Sequence, residues 1–127
     1  MAVDKTLPIL IVDDYRTMIR IIRNLLTLLG FADIEDAQDG RAALAKLKQR
    51  SFGLVISDWN MEPMSGLDLL RAVRADPALQ ALPFIMMTAD GRDERIVQAC
   101  AAGASGYVVK PFNAETLGRR IASAVGA

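Results

Sequence analysis

Two aspartates stand side by side at Asp13-Asp14, and a third follows a serine at Ser57-Asp58. A threonine and a lysine stand at two more such places, Thr88-Ala89 and Lys110-Pro111. Each of these groups comes directly after a short apolar run. If the runs end at one place, three carboxylates, one hydroxyl and one ammonium meet there. Three carboxylates within a few ångströms repel one another, and one lysine does not neutralise them. A hard divalent cation does. Carboxylate oxygens, a backbone carbonyl and waters suit Mg²⁺; Mn²⁺ could substitute, whereas Ca²⁺ fits poorly because the protein ligands are few and no EF-hand loop is present. A cation with a free position can share the oxygens of a phosphoryl group, with Thr88 and Lys110 taking the others. Phosphoryl transfer depends mostly on positioning and charge neutralisation, so these parts suffice. The nucleophile is then a carboxylate, because aspartyl phosphate is a known covalent outcome and the chain has no histidine.

Each residue also has a plainer reading. Asp13 or Asp14 could cap the first helix and meet its dipole. Asp58 could cap a loop, Thr88 could cap the fourth helix, and Lys110 could be a solvated charge. The set is harder to dismiss than its members. A cap needs one acid at a helix start, not two at one strand end and a third at its neighbour.

The remaining composition narrows the field. The 127 residues suit one domain, and 52% apolar with 24% charged residues supports a packed core. The absence of histidine excludes a Ser–His–Asp triad, a His-ligated zinc and a phosphohistidine on this chain. One cysteine, Cys100, allows no intrachain disulfide and suits a reducing compartment. Fifteen basic residues balance fifteen acidic ones, so the electrostatic footprint of a nucleic-acid binder is missing. No apolar stretch approaches the roughly 18 residues a membrane span needs, and the N-terminus lacks a signal-peptide pattern. The expectation is a soluble cytoplasmic domain, monomeric, bound to neither nucleic acid nor membrane.

The elements that must position the polar residues follow from the same runs. Pro8–Val12, Asp33–Asp36 (the weakest), Gly53–Ser57, Pro83–Met87 and Gly106–Val109 read as strands buried on both faces. Helical spacing fills the gaps. Met18, Ile22, Leu25, Leu26 and Leu29 share one face of Arg16–Leu29, and Gly30 stops it. Gly40–Gln49 groups Ala43, Leu44 and Leu47. Ser65 and Asp68 form a capping box for a helix that turns Leu67, Leu70 and Val73 inward and ends at Asp76-Pro77. Gly91–Ala102 buries Ile96, Ala99 and Cys100. Asn113 caps the last helix, with Leu117, Ile121 and Val125 on its inner face. Strands alternating with helices demand parallel pairing, hence an α/β three-layer sandwich. The strand order 2-1-3-4-5 is taken from the flavodoxin-like class of five-stranded sheets, and ligands bind there beyond the carboxyl ends of the strands.

Several motifs at these strand ends carry a family resemblance: Ile11-Val12-Asp13-Asp14, Arg23-Asn24-Leu25-Leu26, Gly30-Phe31, Ser57-Asp58-Trp59-Asn60-Met61, Met87-Thr88-Ala89, and the run Ala102-Gly103-Ala104-Ser105-Gly106-Tyr107-Val108-Val109-Lys110-Pro111-Phe112. From Leu7 to Ala124 the chain resembles the receiver domains of two-component response regulators, and among them the single-domain chemotaxis regulators. The resemblance implies that Asp58 is the phosphoacceptor. It implies that Asp14, Asp58 and the backbone carbonyl of Asn60 ligate Mg²⁺, with Asp13 acting through a bound water. Lys110 would pair with the phosphoryl group and precede a cis peptide bond to Pro111. Thr88 would move toward the phosphoryl oxygen, and Tyr107 would change rotamer with it. Asn60 and Asp90 would tune hydrolysis. The phosphate would come from a histidine kinase, and the domain would catalyse only its own phosphorylation and dephosphorylation.

The reading of residues 1–127 as a single receiver without an output domain makes a binding event the output, with a flagellar motor switch protein as the leading partner. A histidine phosphotransfer protein is the partner under the alternative, in which the domain shuttles phosphate, drains a kinase or regulates a stress response. Glu62 keeps that alternative open, because relatives usually carry proline four residues after the acceptor and here Pro63 comes one later. A flavin module is disfavoured by the anionic Asp13-Asp14. A dehalogenase-type phosphatase is disfavoured because Asn60 stands where its acid–base aspartate would. Trp59 reads as a rim residue beside the metal or a packing residue. Cys100 reads as buried and inert, Met61 and Met64 as gap-fillers or partner surface, and Arg16, Arg20, Arg23, Arg119 and Arg120 as solvated charge or docking surface.

Overall fold

The computed structural model describes residues 3–89 and 91–126. Strands and helices alternate along the chain: β1 (Ile9–Val12), α1 (Arg16–Leu28), β2 (Ile34–Ala37), α2 (Gly40–Gln49), β3 (Leu54–Asp58), α3 (Gly66–Ala75), β4 (Phe84–Thr88), α4 (Asp93–Ala101), β5 (Gly106–Val109) and α5 (Ala114–Val125). All four strand pairings are parallel, in the order β2-β1-β3-β4-β5. The flavodoxin-like three-layer sandwich expected from the sequence is the fold.

Alternation within each strand builds two separate cores. Ile9, Ile11, Leu54, Ile56, Ile85 and Met87 face α1 and α5, where Ile22, Leu26, Leu117 and Ile121 cover them. Leu10, Val12, Val55, Phe84 and Met86 face the other way, under Leu47, Leu69, Leu70 and Val73 of α2 and α3. β1, β3 and β4 are therefore buried along their whole length. The edge strands are not. β2 is only half-buried through Ile34–Asp36, which corrects the expectation of burial on both faces for that run.

The helix ends follow side-chain chemistry. Ser65 Oγ accepts from the Asp68 N–H and Asn113 Oδ1 from the Thr116 N–H, as their positions predicted. Asp39 does the same for α2 through the Ala42 N–H, a cap the sequence reading passed over. Gly30 ends α1 with a φ of 98°, a conformation that costs a glycine little. Two inward faces differ from expectation. Leu69 lies at the centre of α3 while Leu67 is only partly covered, and in α4 Cys100 is exposed rather than buried.

Candidate functional site

Parallel register carries the polar residues to one edge. Val12 pairs with Ser57, Asp58 with Met87, and Thr88 with Val109. Backbone hydrogen bonds extend the ladder past the strands. The Asp13 N–H donates to the Ala37 carbonyl (3.1 Å), the Trp59 N–H to the Met87 carbonyl (2.9 Å) and the Lys110 N–H to the Thr88 carbonyl (2.7 Å). Asp13, Asp58, Thr88 and Lys110 are thus fixed by main-chain pairing before any side-chain contact forms.

Asp13, Asp14 and Asp58 each offer a carboxylate oxygen within 4.8 Å of the other two. Asp13 and Asp58 are buried, and Asp14 is exposed at the mouth. Lys110 Nζ donates to Asp58 Oδ1 at 2.9 Å and lies 3.6 Å from Asp13 Oδ2. Asp13 Oδ1 accepts from the Tyr15 N–H at 2.9 Å. Its other oxygen, Oδ2, is buried without a hydrogen-bond donor. Burial pushes the Asp13 carboxyl above the usual carboxylate range; the Tyr15 N–H and Lys110 oppose that shift, and the charges of Asp58 and Asp14 add to it.

The plainer readings of Asp13, Asp14, Thr88 and Lys110 fail on geometry. Tyr15, not Asp13 or Asp14, is the N-cap of α1, and no side chain caps it. Arg92 holds the corresponding place in α4, so Thr88, buried at the end of β4, is not its cap. Lys110 is an ion-pair partner rather than a solvated charge. An orphaned buried carboxylate oxygen beside two further carboxylates is a hard-oxygen donor set with negative charge to spare, and it fits a small divalent cation.

Beside the acidic cluster lies an open cavity of about 390 Å³ lined by Asp14, Trp59, Asn60, Met61, Glu62 and Ser65. Trp59 is 7% exposed, as a packing residue would be, and it also forms part of this wall. Gly66 closes the loop that follows Asp58 from below. Its N–H donates to the Trp59 carbonyl at 2.9 Å, and a Cβ there would sit 2.1 Å from the Asp58 carbonyl oxygen. The Lys110–Pro111 bond is cis as expected, and Glu62–Pro63 is cis as well. Tyr107 lies half-buried on β5 with the Arg120 guanidinium 4.9 Å from its ring centre. Arg119 is an exposed partner of Glu115, and Arg23 binds the Ile34 carbonyl and Asp36. Asp90 lies outside the described residues. Sequence reasoning missed Arg95, whose guanidinium lies over the Trp59 ring at 4.5 Å. No pattern distinguished it from the other basic residues of the chain.

The family model of the response regulator receiver domain matches residues 9–122. The chain belongs to that family. This receiver is 52% identical over 113 residues to the chemotaxis protein CheY of Pseudomonas aeruginosa, covering 89% of this chain and 91% of the relative. It is 49% identical over 118 residues to the chemotaxis protein CheY-3 of Vibrio cholerae, covering 93% and 91%. A solved structure of the chemotaxis response regulator CheY4 of Vibrio cholerae superposes with a TM-score of 0.84 at 36% identity, over 91% of this chain and 96% of that one. The receiver is therefore a response regulator of a two-component system. Among its described residues no helix is long and apolar enough to cross a membrane.

Proposed function

We propose that this receiver accepts a phosphoryl group on Asp58 from a histidine kinase in the cytoplasm and, so modified, binds a flagellar motor switch protein to control chemotaxis. The observation that carries the reading is the acidic cluster: Asp58 beside Asp13 and Asp14, with Lys110 2.9 Å from the acceptor oxygen. Chemotaxis is the process named for the relatives of about half-identical sequence.

In the transfer, an oxygen of the Asp58 carboxylate attacks phosphorus. The bond from phosphorus to the donor nitrogen breaks, and the donor leaves as neutral imidazole after taking a proton. In hydrolysis a water oxygen attacks phosphorus and the bond to the Asp58 oxygen breaks, which restores the carboxylate and releases phosphate. Mg²⁺ would be held by Asp14, Asp58 and the backbone carbonyl of Asn60, with Asp13 acting through water, and Mn²⁺ could take its place. When bound, the cation offsets charge on the transferring group. Lys110 neutralises a second phosphoryl oxygen, and the Thr88 hydroxyl takes a third. Thr88 moving inward vacates space for a new Tyr107 rotamer, which brings the event to the surface formed by β5 and α5. Asn60 and Asp90 tune the rate of that hydrolysis.

Incubation with Mg²⁺ and a small phosphodonor should add one phosphoryl group by intact mass, and Asp58→Asn should add none. Equal labelling of the variant sinks the assignment. Capture of a histidine phosphotransfer protein but not of the motor switch protein by the phosphorylated form would move the domain to a relay role.

A further inference from the structure

The cleft residues leave Arg95 unexplained. Its guanidinium stacks on the ring of Trp59, the residue directly after the acceptor. Its Nη1 is buried and has no hydrogen-bond acceptor. The Trp59 backbone is held by Met87 on one side and Gly66 on the other, so the ring is the part of this residue left for another group to fix. That ring lines the cavity it shares with Asp14, Asn60 and Glu62.

The helix that supplies Arg95 is loosely anchored. Among the described residues of α4 only Ala99 is buried, Val97 is 63% exposed, and no side chain caps the N-terminus. An element with so little buried apolar surface opens and shifts easily. The stack ties α4 to the loop that follows Asp58. It also sets two gains against each other. Stacked, the guanidinium has the ring face but leaves one donor unmet. Swung outward, it satisfies that donor in water and loses the ring. Two arrangements with opposed gains form a two-state element that events in the cleft can bias.

We propose that Arg95 is a positioning residue of the phosphoacceptor cleft: it fixes the Trp59 indole as the cleft wall and couples cleft occupancy to the docking of α4. The inference rests on the phosphoacceptor reading of Asp58. Coupling is reciprocal, so whatever holds α4 in place must change cation affinity in the cleft by the same factor that the cation changes α4.

Trp59 is the sole tryptophan, so its emission reports the wall directly. Wild type, Arg95→Met and Arg95→Lys in the full chain are titrated with Mg²⁺, then with Mg²⁺ and beryllofluoride, while emission is recorded and amide exchange in α4 is followed. Arg95→Met keeps the length of the side chain and loses the cation. It should shift the emission maximum and raise the apparent Kd for Mg²⁺ about fivefold or more. It should also abolish the change in α4 exchange on adding beryllofluoride. Arg95→Lys keeps a cation over the ring and should recover most of the affinity. A folded Arg95→Met with wild-type emission and a Kd within about twofold of wild type overturns the proposal, as does Arg95→Lys behaving like Arg95→Met. If Arg95→Met does not fold, the Arg95→Lys comparison and the wild-type exchange response decide alone. Labelling of wild type at Asp58 by a small phosphodonor separates the two failures. A labelled wild type with an inert Arg95 sinks only this inference, and an unlabelled wild type sinks the phosphoacceptor reading beneath it.

Discussion

Replacing Asp13 by Asn should stabilise the metal-free protein, although it removes a buried ion-pair partner. The three carboxylate oxygens lie within 4.8 Å of one another, and Lys110 Nζ is 3.6 Å from Asp13 Oδ2. At an effective dielectric of about 20, unit charges at the longer distance repel by about 3.5 kcal/mol, and at the shorter they attract by about 4.6 kcal/mol. Asp14 is exposed, and solvent reduces its share to roughly half, so repulsion on Asp13 comes to about 5 kcal/mol and slightly exceeds the attraction. The cost of burying the charge is added on the same side. An asparagine keeps the acceptor for the Tyr15 N–H and turns the orphaned Oδ2 into a donor that Asp14 or Asp58 can accept. The expected gain is about 1–2 kcal/mol, or roughly 4–8 °C in Tm for a domain of this size. Burial raises the folded-state pKa of Asp13 above its ordinary value near 3.8, so its contribution to stability is full below 3.8 and is lost as pH rises through the folded value. The stabilisation by Asn should therefore be large at pH 7 and vanish toward pH 3.8. Urea unfolding in a chelator at several pH values measures this. With Mg²⁺ at about 100 times its Kd the wild type should gain about 2.7 kcal/mol, and the variant less than half of that. A metal-free Asp13→Asn protein less stable than wild type at pH 7 would refute the charge arithmetic, and an undiminished response to Mg²⁺ would remove Asp13 from the cation site.

Two further substitutions test how the scaffold holds the cleft. Gly66→Ala places a Cβ 2.1 Å from the Asp58 carbonyl oxygen, a backbone atom that cannot step aside. It should destabilise by about 3 kcal/mol and weaken Mg²⁺ binding together, and a thermal midpoint within about 2 °C of wild type contradicts the packing. Arg74 donates to the carbonyls of Gly103, Gln80 and Leu82 and to Ser105 Oγ, all at the opposite edge of the sheet. Arg74→Met should lower the urea midpoint by about 2–3 kcal/mol of stability while the labelling rate of Asp58 stays within about twofold, and slowed labelling would mean the two edges are coupled.

The central strands and the cleft were legible because their residues are dictated locally. A run such as Leu54–Ile56 buried on both faces admits only large apolar residues, and the first polar residue after it marks the carboxyl edge. Parallel pairing then brings Asp13, Asp58, Thr88 and Lys110 together with no further information. The inner face of α4 was not legible in the same way. Ala99, Cys100, Ala101 and Ala102 are small, and without a large apolar residue among them the phase of the helix about its axis is weakly specified. The reading that buried Cys100 with Ala99 misplaced the buried stripe, and Cys100 faces solvent. In α3 the run Leu67-Asp68-Leu69-Leu70 offers leucines at both candidate phases, and only the packing beneath the sheet selects Leu69. Arg95 was invisible for another reason: its partner Trp59 is far away in sequence and lies on a loop, where no periodicity applies.

The division of labour among the strands also bears on where a signal can leave the cleft. Asp58 closes β3, a strand buried along its whole length and paired on both sides, so Asp58 has little freedom to move. Lys110 and Tyr107 belong to or follow β5, an edge strand on which Val108 alone is buried. The opposite edge is tied down. Arg23 binds the Ile34 carbonyl and Asp36, Arg50 bridges Asp33 and Glu35, and Lys46 pairs with Glu35, all around β2. A charge added at Asp58 would act on every neighbour, but elements respond in proportion to how weakly they are held. β2 is clamped by ion pairs and β1 is enclosed, which leaves β5 and the adjoining α4 as the elements able to rearrange. If Asp58 is the acceptor, the response is therefore directed toward the edge that carries Tyr107 and Arg120, and away from the edge formed by β2.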